Sequence, residues 1–184
     1  MNEKEGNTSE QKAKKGRVYT VLLLVTCVVV LVSLILINGP FTRRKREPDW
    51  RVCMHNLSRL GKAMYDYAGD YDGQYPTADK WCDLLMTTSS VADTKQFICR
   101  GSDAKIGESS YALNKNIAGK KASEIPEDTV LLFEAEKGWN HVGGPELLTL
   151  ENHDGEGCNV LFGGLHVTFV KKERIADLKW VVKK

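Results

Sequence analysis

The chain has 184 residues, 26 Lys/Arg against 24 Asp/Glu for a formal net charge of +2, and 42% hydrophobic residues. Beyond Trp50 lie 134 residues, enough for one domain with its own core and too few for two comfortable ones. From Val52 onward sixteen Lys/Arg face nineteen Asp/Glu, so this part stands at −3 and lacks the basic excess that a nucleic-acid-binding face needs.

In chain order, residues 1–17 are polar, without apolar periodicity, and read as a disordered tail. Residues 18–37 follow, twenty positions with fifteen Val, Leu or Ile and no charge. A helix of that length covers about 30 Å, the hydrocarbon thickness of a bilayer. At roughly −0.4 kcal/mol per Val, Leu or Ile, insertion is favoured by about 6 kcal/mol. The competing reading is a signal peptide, since Lys12, Lys14, Lys15 and Arg17 precede the run. The stretch is longer than the roughly 7 to 15 residues of a signal core, and Ile37-Asn38-Gly39-Pro40 is a poor cleavage site. A permanent transmembrane helix over 18–38 is therefore expected, with the lipid bilayer as its partner. Basic residues are equally numerous on its two sides, so charge alone sets no orientation.

Asn38-Gly39-Pro40 ends the helix, because Pro lacks an amide donor and disfavours helical geometry in the residue before it. Residues 39–50 form a basic juxtamembrane linker suited to lipid phosphates. A second helix starts near Trp50 with Asp49 as its N-cap. Cys53, Leu57, Leu60, Met64 and Tyr67 fall on one stripe of it. The helix frays into a turn at Gly69-Asp70-Tyr71-Asp72-Gly73. Asp70 and Asp72 evoke a calcium loop, but Ala68 occupies the first ligand position and Asp79 the twelfth, so a solvated turn is the better reading.

A short helix is expected around Trp81 to Met86, a strand at Ser110 to Asn114, and a central buried strand at Val130-Leu131-Leu132-Phe133 before Glu134. Gly143-Gly144-Pro145 marks a loop. Asn159-Val160-Leu161-Phe162 and His166-Val167-Thr168-Phe169-Val170 flank Gly163-Gly164-Leu165 as a β-hairpin. Arg174 to Trp180 closes the domain as a short helix or edge segment.

Five cysteines are present, of which Cys27 lies in the apolar run and acts as a small hydrophobe. Cys53, Cys82, Cys99 and Cys158 remain, an even number that favours two disulfides in a domain held outside the cytoplasm. Free thiols are the alternative. Zinc is the third reading, disfavoured because no two of these cysteines are closely spaced in sequence. His141, His153 and His166 with Glu134 and Glu136 are metal-ligand types, yet no close-spaced histidine pair occurs, and structural roles are preferred. Cys158 with His153 or His166 has the residue types of a thiol nucleophile and base; its place at the entry of an apolar strand favours core or disulfide.

The motif series Cys53-Met54-His55-Asn56-Leu57, Leu60-Gly61, Tyr67-Ala68, Asp72-Gly73 and Tyr75-Pro76, after an apolar N-terminal run, resembles bacterial type II secretion pseudopilin-like (prepilin-type) proteins. Trp81-Cys82, Phe97-x-Cys99, Ser110-Tyr111-Ala112-Leu113-Asn114 and His153 followed by Cys158-Asn159 resemble the branch with a C-terminal His-x9-Asp-Gly element. The resemblance implies an α+β head in which one amphipathic helix packs on a small antiparallel sheet ending in a C-terminal hairpin. His153, Cys158, Asn159, Gly163, Gly164 and His166 form the family element, with His153 holding the loop into the hairpin. It also implies an inner-membrane, single-pass protein, N-terminus cytoplasmic and head (51–184) periplasmic. The expected role is structural, with no cofactor and no reaction, and the partners are other pilin-like subunits or secretion components. A membrane-tethered binding or sensor domain is the alternative, and a His/Cys-dependent envelope metalloprotein or hydrolase the third. Two positions depart from the family. Gly16 precedes Arg17-Val18-Tyr19-Thr20-Val21, with no Glu at the fifth place, and Gly164-Leu165 replaces Asp-Gly before His166, which shifts the turn onto Gly163-Gly164.

Overall fold

A computed structural model describes residues 3–38 and 48–182. The chain divides into two compact units between Arg46 and Glu47. The linker read at 39–50 lies outside the described residues as far as position 47.

The first unit is α1 (Glu3–Asn38). It begins at Glu3 and takes in the polar stretch read as disordered, because nothing from Glu3 to Arg17 breaks a helix except the tolerated Gly6 and Gly16. Its stretch Lys15–Leu34 is 20 residues long with a mean hydropathy of 2.4, apolar enough to cross a membrane, a property that signal sequences share. Its apolar side chains face outward: Leu22, Leu23 and Leu24 are 61%, 66% and 60% exposed. The hydroxyls of Thr20 and Thr26 donate to the carbonyls of Gly16 and Leu23, each at 2.9 Å, so their polarity is met inside the helix.

The second unit is α+β. It contains α2 (Asp49–Asp70), α3 (Trp81–Leu85) and five strands, β1 (Ser109–Asn114), β2 (Val130–Gly138), β3 (Val142–Gly143), β4 (Gly157–Phe162) and β5 (Val167–Lys171), in the order β3-β1-β2-β4-β5. Every pairing is antiparallel except β1 with β3, so the sheet is mixed rather than the antiparallel sheet expected. The parallel pair arises where the chain leaving β2 turns back along the free edge of β1, with Leu113 opposite Val142. Pro48, not Asp49, stands at the N-cap of α2. Asp49 is the first helical residue and pairs instead with Arg100 at 3.1 Å.

Strand alternation sends side chains to two cores. Tyr111, Leu113, Leu132 and Leu161 join the α2 stripe Cys53, Leu57, Leu60 and Met64, with Trp81, Leu85 and Phe97. Ala112, Phe133, Cys158 and Val160 form the second core, covered by Leu147, Leu150, Ile175 and Trp180. The closing segment is a 3-10 helix, Lys172–Asp177. It is followed by a parallel bridge of Lys179 to Thr129, and Asn114 and Asn116 grip the Trp180 carbonyl at 2.9 and 3.0 Å.

The turn joining β4 and β5 differs from the expected one. Leu165, not either glycine, takes the positive φ of 59°. Its apolar side chain packs on the first core, which offsets the roughly 1 to 2 kcal/mol of left-handed strain. Gly163 serves close approach: a Cβ there would sit 2.2 Å from the Pro126 carbonyl oxygen, and the Gly163 amide donates to Thr129 O at 2.8 Å. Gly163→Ala is therefore expected to destabilise the head by about 2 kcal/mol in denaturant unfolding, whereas a change below about 0.5 kcal/mol would contradict this packing.

Candidate functional site

Glu134 lies on the α2-facing side of β2, opposite Tyr111 of β1, and is wholly buried. One carboxyl oxygen accepts from the Asn159 amide at 2.9 Å. The other accepts from Asn159 Nδ2 at 3.0 Å and stands 2.9 Å from His153 Nε2. Asn159 is on β4, and Nδ2 also reaches the Trp50 carbonyl at 2.9 Å, tying the start of α2 to the sheet. His153 ends the 3-10 turn Glu151–His153 that leads into β4. The same Nε2 is 3.6 Å from Cys99 Sγ.

Cys99 is bonded to Cys53 of α2, with Cα atoms 5.0 Å apart and a sequence separation of 46. The Arg100 amide donates to Cys53 Sγ at 3.1 Å, and Asn56 Nδ2 donates to the Ile98 carbonyl at 2.9 Å. Gly101 approaches Asn152 so closely that a Cβ on it would be 1.8 Å from the Asn152 carbonyl oxygen. Four separate stretches thus meet at one buried polar point. Asn159 Oδ1 is buried there without a hydrogen-bond partner.

One disulfide forms among the described residues, not the two expected; Cys82 and Cys158 are free and buried. They cannot pair because Cys82, on α3, lies in the core under α2, whereas strand alternation turns Cys158 of β4 into the core on the other face of the sheet. Burial above all pushes both thiols up to about 12 from an ordinary 9.0. The unfolded chain therefore loses these protons first. Their contribution to stability is whole below pH 9.0 and is lost as pH climbs toward about 12, by up to about 1.4 kcal/mol per pH unit for each thiol. Tyr111, raised well above 10.0 by burial, acts in the same direction. Alkaline unfolding should steepen through this range, and alkylation at about pH 8 should leave Cys82 and Cys158 unmodified until the chain is denatured. Ready modification of the native fold would contradict their burial.

Of the residues singled out in sequence, the structure brings together His153, Asn159, Cys53, Cys99 and Glu134, and leaves the others apart. His166 is exposed and stacks on Phe162 with ring centroids 4.9 Å apart. His141 serves through its carbonyl, which accepts from Trp81 Nε1 at 3.0 Å. Glu136 is exposed, and Gly163 and Gly164 hold the turn against 126–127. Sequence reasoning named Glu134 only as one of several metal-ligand types at the end of an apolar run, preferred structural roles for that set, and did not link Cys53 to Cys99. The available signal was parity, since Leu132 and Glu134 must share a face.

The cluster has no nucleophile–base relay. A relay uses the two ring nitrogens for two partners, whereas here Nε2 alone faces both sulfur and carboxyl. No family model, curated protein or solved structure matches the chain.

Proposed function

We propose that this chain is a membrane-anchored, pseudopilin-like structural subunit of a type II secretion or related envelope apparatus. The observation that carries the proposal is an exposed apolar helix of bilayer length, α1, in a chain whose other unit packs a long amphipathic helix, α2, on a sheet. The motif series from Cys53 to Pro76 and the antiparallel β4–β5 pair after His153 support it. In this reading α1 makes lateral contacts within the inner membrane and the periplasmic head makes contacts outside it. The buried cluster around Glu134 is a clamp that fixes the start of α2 to the sheet.

The second reading, a tethered extracytoplasmic binding domain that does not assemble, is favoured by the sequence Arg17-Val18-Tyr19-Thr20-Val21 after Gly16, which lacks the family's Glu. Mass spectrometry of the membrane-extracted protein separates the two. A mature chain beginning at a methylated Arg17 is the result expected for the assembling subunit. An intact N-terminus would overturn it in favour of the tethered domain. Release of the full-length chain from vesicles by alkaline carbonate would overturn both.

A further inference from the structure

Cys53 Sγ, Cys99 Sγ, a Glu134 carboxyl oxygen and a His153 ring nitrogen all lie within 4.8 Å of one another. We propose that the dithiol form of this cluster is a closed zinc site, and that the zinc-loaded dithiol and the metal-free disulfide are alternative states of the same four side chains.

The convergence is that of a ligand shell. One histidine nitrogen is aimed at the point that the sulfur and the carboxyl oxygen also face, as a metal ligand requires. With zinc at about 2.3 Å from sulfur and about 2.0 Å from nitrogen, tetrahedral geometry separates those donors by about 3.5 Å. Cys99 Sγ and His153 Nε2 stand 3.6 Å apart. His153 Nε2 and Glu134 Oε1, at 2.9 Å, need to part by about 0.4 Å once the ion replaces the proton between them.

The donor set of two sulfurs, one imidazole and one carboxyl suits zinc and disfavours calcium or magnesium, which take oxygen. All four residues are buried, leaving no open position, which marks a structural rather than a catalytic site. Outer partners are in place. The Arg100 amide points at Cys53 Sγ, and the Asn159 amide and Nδ2 hold the Glu134 carboxyl. Three N–H donors thus face the net negative charge left by two thiolates and a carboxylate around Zn2+.

The two states exchange by thiol–disulfide chemistry with an external disulfide, which is the oxidant. One cysteine thiolate attacks a sulfur of that disulfide and expels its first thiolate. The second cysteine then attacks the mixed disulfide and expels the other. Two electrons pass from the cysteine pair to the external disulfide, Cys53–Cys99 closes, and zinc leaves unchanged as Zn2+. An external dithiol reverses the exchange.

The test uses the full chain in detergent, in a Cys27→Ser background, reduced with a phosphine without oxygen and titrated with Co2+ and then Zn2+. One equivalent of cobalt is expected, with thiolate charge-transfer and tetrahedral ligand-field bands that zinc abolishes. The disulfide form of the same chain should bind none. His153→Ala should weaken binding at least about a hundredfold and Asn159→Ala about ten- to a hundredfold. A reduced chain that folds only on adding metal would equally support the site. A reduced chain that takes up no cobalt, folded or not, would overturn it, as would equal uptake by reduced and disulfide forms.

Discussion

Glu134→Leu should lower the stability of the head by about 3 to 5 kcal/mol, the largest effect expected of any single substitution outside the apolar core. The carboxyl accepts from Asn159 N and Asn159 Nδ2 and meets His153 Nε2, all in a wholly buried place. Leucine fills the volume but leaves those groups without an acceptor, and each stranded buried donor costs about 1 to 3 kcal/mol. Glu134→Gln keeps one acceptor oxygen and should cost about half as much. Glu136→Gln, on the exposed part of the same strand, should change stability by less than about 0.5 kcal/mol. Urea unfolding of the full chain in detergent, followed by circular dichroism, reads all three. A Glu134→Leu loss below about 1 kcal/mol would mean the cluster does not clamp the fold.

The second large effect belongs to the disulfide. Cys53 and Cys99 are separated by 46 positions, so their bond closes a loop whose entropy in the unfolded chain is worth about 4 kcal/mol. The Cys53→Ala/Cys99→Ala double variant should lose about that amount under non-reducing conditions. Cys158→Ala should respond to its lost volume alone, by about 1 kcal/mol. Peptide mapping without reduction should find Cys53 linked to Cys99 and both Cys82 and Cys158 as thiols. A Cys82–Cys158 link would contradict the two-faced sheet, since these residues lie in different cores.

Where a feature depends on local pattern, the sequence was a sound guide. The run at 18–37 lies within α1, and four stripe residues, Cys53, Leu57, Leu60 and Met64, are wholly buried under α2. The apolar run at 130–133 and the strand read at 159–162 fall in β2 and β4. Features set by long-range pairing were not legible. β3 is two residues long and exists because β1 offers it an edge. Glu134 ends an apolar run by residue type, yet β2 continues through it to Gly138, and its burial is intelligible only once His153 and Asn159 are beside it. The pairing of Cys53 with Cys99 needs the start of α2 to meet segment 98–100, a contact that Asn56 makes with the Ile98 carbonyl and the Arg100 amide with Cys53 Sγ. Leu165 at positive φ defeats a rule built on backbone sterics, because burial of its side chain outweighs the strain.

The central claim is that α1 stays in the lipid and holds the head outside the cytoplasm. Ile106, 71% exposed in the turn before β1, gives a position at which to read this without disturbing the core. In a Cys27→Ser/Ile106→Cys chain, a membrane-impermeant maleimide applied to intact spheroplasts should label the protein fully before lysis, in the membrane fraction. Labelling that appears only after lysis would place the head on the cytoplasmic side and contradict the account.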